Sequence, residues 1–276
     1  MAENLSCGTL ELDLCSCGSG SVRMRLVERG RLDLAESRYE TPEGTEVFAL
    51  EEKIDGVLHV SREVADVKLW SAEEPYLYEL RMEVYDAAGK MQEVVASKIG
   101  FRRFEMKDGL MLLNGMRIVF KGVNRHEFSS LTGRVVSMEE TLTDVVTMKQ
   151  NNINSIRTCH YPDNVGLYEL CDIYGLYMIA ENNMESHGSW DAAAMRKIAD
   201  PQTIVPGDNP KWEARMLDRV NSCYQRDKNH PAVLIWSCGN ESYGGSVIYQ
   251  MSEKFRELDP DRLVHYEGVY NDRRYN

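Results

Sequence analysis

Apolar and polar residues alternate along the first hundred residues of the chain. An apolar residue at every second position is the period of a strand that buries one face. Four segments show this pattern: TLELDL at 9–14, SVRMRLVE at 21–28, GVLHVSREV at 56–64 and YLYELRMEVYD at 76–86. Turn sequences accompany them at Gly18-Ser19-Gly20, Pro42-Glu43-Gly44 and Ala87-Ala88-Gly89. Short strands spaced by such turns predict an antiparallel β-sandwich.

After about residue 107, short apolar runs alternate with segments of helical period. The runs predict strands over 117–124, 155–161, 176–184, 232–241 and 263–268, and the segments between them predict helices over 137–152, 163–175, 211–227 and 246–259. Ser137 and Glu140 fit a capping box at the first helix. Strands that are apolar on both faces and alternate with helices predict a parallel sheet. Periodicity leaves a doubly wound sheet and a barrel open, and FKGVNRHE lacks the G-x-G-x-x-G of a dinucleotide site.

Polar side chains follow each of these predicted strands. They are Asn124, Arg125, His126 and Glu127; Arg157, His160 and Tyr161; Glu181, Asn182, Asn183, Glu185 and His187; Asn240 and Glu241; and Glu267. A single such residue is more often a satisfied hydrogen-bonding group or a helix cap. Five successive strands that all end in such residues are harder to explain by hydrogen bonding or helix capping alone. In a (β/α)₈ barrel these strand ends share the rim that carries the chemistry.

The residue types at this rim favour carboxylate chemistry. CGNESYG does not match the G-x-S-x-G of a serine nucleophile, so a Ser/His/Asp triad has little support. Paired carboxylates can divide the roles of acid and base or nucleophile. Glu185 and His187 together with Glu241 also form a plausible set of ligands for a hard divalent cation such as magnesium or manganese.

Composition excludes some classes of function. The chain has 276 residues and a net charge of −12 without a basic stripe, which disfavours a nucleic-acid partner. It has no apolar run of membrane-spanning length and does not open like a signal peptide, so we expect a cytoplasmic protein without a membrane partner. The seven cysteines are expected to be reduced, and the C-x-C at Cys15 and Cys17 is a weak metal motif without a second ligand cluster.

Several segments resemble glycoside hydrolase family 2. DKNHPAVLIWSCGNE (227–241) resembles its acid/base signature and NSIRTCHYPDNVGLYELCDIYGLYMI (154–179) its other signature. LLNGMRIVFKGVNRHE (112–127) and ENNMESHG (181–188) are similar to the bacterial β-galactosidases within that family. LWSAEEPYLYEL (69–80) and KIGFRRFE (98–105) resemble the end of its immunoglobulin-like sandwich. The resemblance covers nearly the whole chain after about residue 65.

The resemblance implies retaining hydrolysis of terminal β-D-galactosides such as lactose by a two-carboxylate mechanism. Glu241 would be the proton donor and then the base, Asn240 would contact the sugar 2-hydroxyl, and His126 and His160 would line the galactose pocket. Arg157 would orient neighbouring carboxylates. Glu185, His187 and Glu241 would hold Mg²⁺, with Na⁺ as a further candidate ion in the complete enzyme. The apolar strand that ends in Trp236 would serve as a rigid mount for Glu241.

Other interpretations of the function stay open. A β-glucuronidase or β-mannosidase of the same family is one alternative, although the Glu185-Ser186-His187 sequence favours a galactosidase. A non-catalytic carbohydrate-binding module is another. The chain also departs from the family's β-galactosidases at Ala180, where an aspartate is usual.

The resemblance further implies an internal fragment of a longer chain. Residues 1–105 would form the immunoglobulin-like sandwich, and residues 106–276 would supply the first five strands of a truncated (β/α)₈ TIM barrel. The family's nucleophilic glutamate, at the end of strand seven, would then fall beyond residue 276, and Glu267 has no such role in the family. We therefore expect the isolated chain to be inactive and less stable than its length suggests, and the complete protein to be a homo-oligomer.

Overall fold

The structure is a computed structural model that describes residues 5–33, 38–39, 44–190, 203–268 and 273–275. The chain divides into two compact units. Unit 1 comprises residues 1–103 and 112–116, and unit 2 comprises residues 104–111 and 117–276. Three short strands occur where the two units meet in sequence: Phe104–Lys107, Leu110–Leu113 and Met116–Arg117. The predicted domain boundary at residue 105 stays a prediction.

Unit 1 is an antiparallel sandwich, as the alternation predicts. Its strands are β1 (Cys7–Cys15), β2 (Gly20–Gly30), β3 (Leu32–Asp33), β4 (Arg38–Tyr39), β5 (Thr45–Ile54), β6 (Val57–Ala65), β7 (Leu77–Asp86) and β8 (Met91–Ile99). A four-stranded sheet has the order β5-β2-β7-β8, and β1 pairs with β6. The inward residues of both sheets, among them Leu10, Met24, Val60 and Leu80, share one apolar core. Burial of this shared face holds the two sheets together.

Four strands of unit 1 were absent from the sequence prediction: the two-residue strands β3 and β4, and the longer strands β5 and β8. Strand β5 alternates only weakly, because Glu52 takes an inward position between Leu50 and Ile54. Strand β8 lies at the sheet edge and is largely exposed, so it carries little hydrophobic pattern. The predicted turn at 87–89 joins β7 to β8, where Gly89 has a φ of +77°. The predicted turn residues Pro42 and Glu43 lie outside the described residues.

Unit 2 contains a five-stranded parallel sheet with helices between its strands. The strands, numbered after the three short ones (β9–β11), are β12 (Gly122–Arg125), β13 (Ser155–Thr158), β14 (Tyr177–Glu181), β15 (Val233–Ser237) and β16 (Leu263–His265). The helices are α1 (Met138–Gln150), α2 (Val165–Tyr174), α3 (Pro210–Asp227) and α4 (Ser246–Leu258), followed by a 3₁₀ turn at Arg273–Tyr275. The sheet order is β12-β13-β14-β15-β16. Each strand therefore lies beside the next one along the chain, as in a barrel and unlike a doubly wound sheet.

The helix boundaries follow from local chemistry. Helix α1 begins at the predicted capping box, in which the Glu140 N–H donates to Ser137 Oγ and the Ser137 N–H donates to the Glu140 carboxylate. Helix α2 ends at Gly175, which adopts a left-handed φ of +74°. Pro210 stands in the first turn of α3, after the side chain of Asn209 caps the helix. These signals place the helix ends within about two residues of the predicted ones.

The predicted strand over 117–124 was wrong in its first half, because the parallel strand begins only at Gly122. The side chain of Asn154 binds the preceding backbone instead. Its amide nitrogen donates to the Val119 carbonyl at 2.9 Å, and its oxygen accepts from the Lys121 N–H at 2.8 Å. A side-chain amide thus satisfies the groups that a strand partner would otherwise bond.

Strand β15 is the most completely buried strand of this sheet, with all five of its residues buried. Trp236 stacks on Phe255 of α4 with ring centroids 5.5 Å apart. Its indole N–H donates to Asp259 Oδ2 at 2.8 Å, and Arg262 lies over the same ring. The large side chain is therefore packed and satisfied in one orientation, which fixes the strand that leads to Asn240 and Glu241.

Candidate active site

The carboxyl ends of the parallel strands bring together most of the polar residues singled out in the sequence. The register aligns Asn124 with Arg157 and Glu181 with Ser237, and Ser237 with His265. Strands β12 to β16 lie side by side in chain order. Their carboxyl ends bring residues more than eighty positions apart into contact. For example, Arg157 donates from Nη2 to Asn240 Oδ1 at 2.9 Å.

Glu181, at the end of β14, is the buried centre of the site. Its side chain has no exposed area. Its Oε2 accepts hydrogen bonds from Arg157 Nε at 2.7 Å and from Ser237 Oγ at 2.7 Å, while Oε1 contacts His160 Nδ1 at 2.7 Å. A buried carboxylate with an arginine partner and two further hydrogen bonds has its desolvation offset.

The protonation of His265 follows from the same network. Ser237 has one hydroxyl proton, and it donates that proton to Glu181. Its 3.1 Å contact with His265 Nδ1 must therefore be one in which the imidazole N–H donates to the hydroxyl oxygen. Burial, followed by the Arg157 charge, lowers the pKa of His265, and this agrees with a neutral ring.

A short parallel bridge between residues 185 and 240 fixes the end of β15 beside the end of β14. The Asn240 N–H donates to the Met184 carbonyl at 2.8 Å, and its side-chain amide donates to Glu185 Oε1 at 3.0 Å. Its side-chain oxygen is the acceptor for Arg157. Both ends of the Asn240 amide are thus held, which assigns its orientation.

Glu241 follows this bridge and has contacts on its N–H, its carbonyl and one carboxylate oxygen. Its N–H donates to Glu267 Oε1 at 2.9 Å, and its carbonyl accepts from the Trp190 indole N–H at 2.9 Å. Its Oε2 contacts His187 Nδ1 at 2.6 Å. Half of the side chain is nevertheless exposed, so the carboxyl group is reachable from solvent. A backbone φ of +29°, unusual for a residue with a Cβ, aims it out of the strand.

The predicted sugar-binding histidines lie side by side at the ends of β12 and β13. The His126 and His160 rings meet edge to face with centroids 5.2 Å apart, and the Tyr161 ring lies 6.1 Å from His126. His160 is mostly buried and fixed by Glu181, whereas His126 is exposed. Cys159, which precedes His160, has 1% of its area exposed, and burial raises the pKa of its thiol to about 11.

The residues predicted to hold magnesium fall into two contacts. His187 is paired with Glu241, and Glu185 is paired with Asn240. The bridge at residues 185 and 240 sets Glu185 beside the neighbour of Glu241, so both carboxylates belong to one backbone junction. Two carboxylates and an imidazole at a partly open junction fit a hard divalent cation in donor type. Among the described residues, however, the set of three donors whose ligand atoms all lie within 4.8 Å of one another is a different one: His126, Cys159 and His160.

Ala180 is completely buried in β14 and pairs in register with Trp236. It lies one residue before Glu181, whose carboxylate carries the network above.

Sequence reasoning missed three contributors to the site. Ser237 and His265 stand at strand ends, so the rule that selected the other residues could have found them. Trp190 had no sequence signal. It joins the site only because its ring stacks on His187 at 4.9 Å while its N–H binds the carbonyl of Glu241. Glu267, by contrast, was named and does touch the site, through the Glu241 N–H and through Arg157 at 3.7 Å.

The sequence matches two models of one known protein family, one over each part of the chain. A model described as "Glycosyl hydrolases family 2, TIM barrel domain" matches residues 104–276, and one described as "Glycosyl hydrolases family 2" matches residues 7–102. A β-galactosidase of Halalkalibacterium halodurans is 55% identical over 217 residues, which are 79% of this chain and 21% of that protein. A β-galactosidase large subunit of Leuconostoc lactis is 50% identical over 203 residues, which are 73% of this chain and 32% of that protein.

Among solved structures, β-glucuronidase 3 of Bacteroides uniformis aligns with a TM-score of 0.73. The alignment covers 95% of this chain and 32% of that one at 20% identity, which speaks for the fold alone. The chain thus spans about a fifth to a third of the length of these relatives. Within the described residues, no helix is long and apolar enough to cross a membrane.

Proposed function

The chain belongs to glycoside hydrolase family 2, and from this premise we propose that it carries the acid/base part of the active site of a β-galactosidase. The substrates are terminal β-D-galactosides such as lactose, hydrolysed with retention of configuration. The relatives named β-galactosidase support this assignment at 50–55% identity over 73–79% of the chain. The observation that carries it is the half-exposed Glu241 carboxyl group, held at the end of a buried strand.

In the first step Glu241 gives its proton to the glycosidic oxygen as the bond to the anomeric carbon breaks, and the alcohol leaves. A second carboxylate forms the covalent glycosyl intermediate on the opposite face of the sugar. In the second step Glu241 takes a proton from water, whose oxygen attacks the anomeric carbon and releases that carboxylate. His187, hydrogen-bonded to Oε2, stabilises the ionised form that exists between the two steps.

The second carboxylate is proposed to come from outside this chain's residues. Glu181 is fully buried behind Arg157 and cannot reach an anomeric carbon. One oxygen of Glu267 accepts from the Glu241 N–H, and the other faces Arg157. Both carboxylates therefore act as supports: they orient Arg157, which in turn holds the amide of Asn240 for contact with the sugar.

His126, His160 and Asn240 are proposed to bind the sugar. The Nδ1 of His160 is bonded to Glu181, which leaves the other ring nitrogen for the sugar, and Asn240 precedes the acid in the chain. Glu185, His187 and Glu241 would hold a magnesium ion, which would supply positive charge next to the acid. The chain's own contribution there is the pairing of Glu185 with Asn240, which places that carboxylate. A sodium site, a cytoplasmic location and a homo-oligomeric parent protein stay predictions.

The decisive experiment compares leaving groups in a complete enzyme that contains this segment. Glu241→Gln should slow hydrolysis of galactosides with poor leaving groups by about 10²–10⁴-fold, the range of general acid catalysis. Galactosides with good leaving groups need less protonation and should be slowed much less in the glycosylation step. Glu257→Gln makes the same change at an exposed position of α4 and should alter neither rate. Equal slowing for both leaving groups would reject the acid role of Glu241.

A substrate panel separates the family's activities. The enzyme should hydrolyse a chromogenic β-galactoside in preference to the β-glucuronide and the β-mannoside. The chain alone should not turn over, and it should gain activity when mixed with a piece of a relative that carries the later barrel strands. Hydrolysis by the chain alone would show that one of its own carboxylates, with Glu267 the first to test, is the nucleophile.

A further inference from the structure

We propose that His126, Cys159 and His160 form a binding site for a borderline-soft divalent cation such as Zn²⁺. This site is separate from the magnesium ligands discussed above. Its three donor atoms all lie within 4.8 Å of one another. One thiol and two imidazoles are ligands that zinc prefers and magnesium does not.

The separations are close to those that a tetrahedral ion requires. Zn–N bonds of about 2.0 Å and Zn–S bonds of about 2.3 Å put neighbouring ligand atoms about 3.5 Å apart. Donor atoms that lie up to 4.8 Å apart must therefore close by at most about 1.3 Å. His126 is exposed, so its side chain can make that adjustment, while Cys159 is fixed by burial and His160 by its hydrogen bond to Glu181.

The contacts of His160 are those of a metal ligand. Its Nδ1 is bonded to the buried carboxylate of Glu181 at 2.7 Å. A neutral imidazole that donates from Nδ1 to a carboxylate keeps its lone pair on Nε2, free for a cation, and is made more basic by the carboxylate. Metal-bound histidines in proteins usually have such a carboxylate or carbonyl partner on the second nitrogen.

The thiol supplies the selectivity. Burial keeps Cys159 protonated at neutral pH, so it is not a reactive nucleophile. A zinc ion would displace the thiol proton and supply the positive charge that the buried thiolate needs. Three protein ligands and one open side correspond to a site whose fourth position is filled by water or by a ligand oxygen.

Under the proposed function, this cation would occupy the place assigned to the galactose ring, so zinc and sugar would exclude each other. That consequence rests on the proposed function, but binding of the metal itself does not. The two are therefore tested by separate measurements.

Binding is measured on this chain with Co²⁺ as a spectroscopic substitute for Zn²⁺. The chain carries Cys7→Ser, Cys15→Ser and Cys17→Ser, because these exposed thiols could bind metal on their own. We expect one equivalent of Co²⁺ to give a thiolate-to-metal charge-transfer band and tetrahedral visible bands, and Zn²⁺ to displace it. Absence of the charge-transfer band would overturn the proposal.

Variants then locate the site. Cys159→Ser should abolish the charge-transfer band, and His126→Gln, at an exposed position, should weaken Zn²⁺ affinity beyond the about 10- to 100-fold typical of losing an outer-shell partner. Cys223→Ser, a buried thiol on α3 outside the cluster, should leave the band unchanged. A band that survives Cys159→Ser, or an affinity unchanged by His126→Gln, would overturn the assignment.

Competition with sugar is the second measurement. A non-hydrolysable β-galactoside added to the complete enzyme should raise the apparent Kd for Zn²⁺. If zinc binds through Cys159 but the sugar leaves its affinity unchanged, the metal site stands and the proposed role of His126 and His160 in sugar binding is rejected. If zinc does not bind, the site is rejected whatever the enzyme's activity.

Discussion

Substitution of Glu181 by glutamine tests whether the site is held by one buried carboxylate. The change preserves shape and removes the charge that faces Arg157, whose side chain is only 13% exposed. One oxygen of the amide can still accept from Arg157 and Ser237. The amide nitrogen then faces His160 Nδ1, and the ring can accept that hydrogen bond by changing its tautomer. The substitution therefore lowers stability mainly by removing the ion pair between Glu181 and Arg157.

The magnitude follows from what Arg157 retains. Breaking a buried ion pair by removing one partner costs about 3–5 kcal/mol. Arg157 keeps the Asn240 oxygen at 2.9 Å and a second carboxylate, Glu267, at 3.7 Å. The cost should thus lie at the lower end, about 3 kcal/mol, which corresponds to a change of about 100-fold in the opening equilibrium of the sheet.

Amide hydrogen exchange measures this opening equilibrium, with the affected strands and a reference in the same molecule. The amides of β13, β14 and β15 should exchange about 100-fold faster in Glu181→Gln, in the regime where exchange reports the opening equilibrium. The amides of β2 and β7 belong to the other unit and serve as the internal reference. Glu51→Gln is the matched control, because it removes the carboxylate of an exposed ion pair with Arg23.

Two results would refute the reasoning. Unchanged protection in β13–β15 would mean that Arg157 finds adequate compensation and that the network is not held by Glu181. An equal loss of protection in β2 and β7 would mean that the substitution acts on the whole chain and not on the strand ends.

The architecture of both units could be predicted from the sequence because each pattern reflects a local structural requirement. Alternation found the strands that bury one face, and continuous apolar runs found the parallel strands, as in β15, whose residues are all buried. The capping box at Ser137 predicted the start of α1 because its hydrogen bonds lie within four residues. Edge strand β8 was lost because exposure removes the pattern.

The residues that make up the site were harder to predict from the sequence, for a different reason. Strand-end position selected Arg157, His160, Asn240 and Glu241, and the structure brings them to one edge of the sheet. Trp190 reaches Glu241 across fifty-one residues of sequence, and no periodicity encodes such a contact. Side chains that bind backbone, such as Asn154 at β12, replace strand pairing and so end a strand where the apolar pattern continues.

Three further changes test single features of the fold. Ser137→Ala removes a helix cap and should lower the free energy of unfolding by about 1 kcal/mol in urea titrations that follow unit 2; no change would mean that α1 needs no cap. Burial alone would lower the pKa of His230, but the Asp172 carboxylate, 2.6 Å from Nδ1, outweighs burial and raises it. The pair therefore contributes stability that is fully present below the unfolded pKa of about 6.5 and is lost as the pH rises through the folded pKa. His230→Gln should therefore destabilise the chain more at pH 6 than at pH 9, and the reverse order would contradict this sign. Gly239→Ala tests the turn before Glu241: φ is +148°, and an added Cβ would lie 2.3 Å from the Met184 carbonyl oxygen, which cannot move without breaking the bridge that sets the acid. We expect a loss of about 1–3 kcal/mol in urea unfolding, whereas Gly18→Ala, whose methyl group meets nothing within 4 Å, should be neutral; equal effects of the two changes would show that the close approach at Gly239 does not constrain the site.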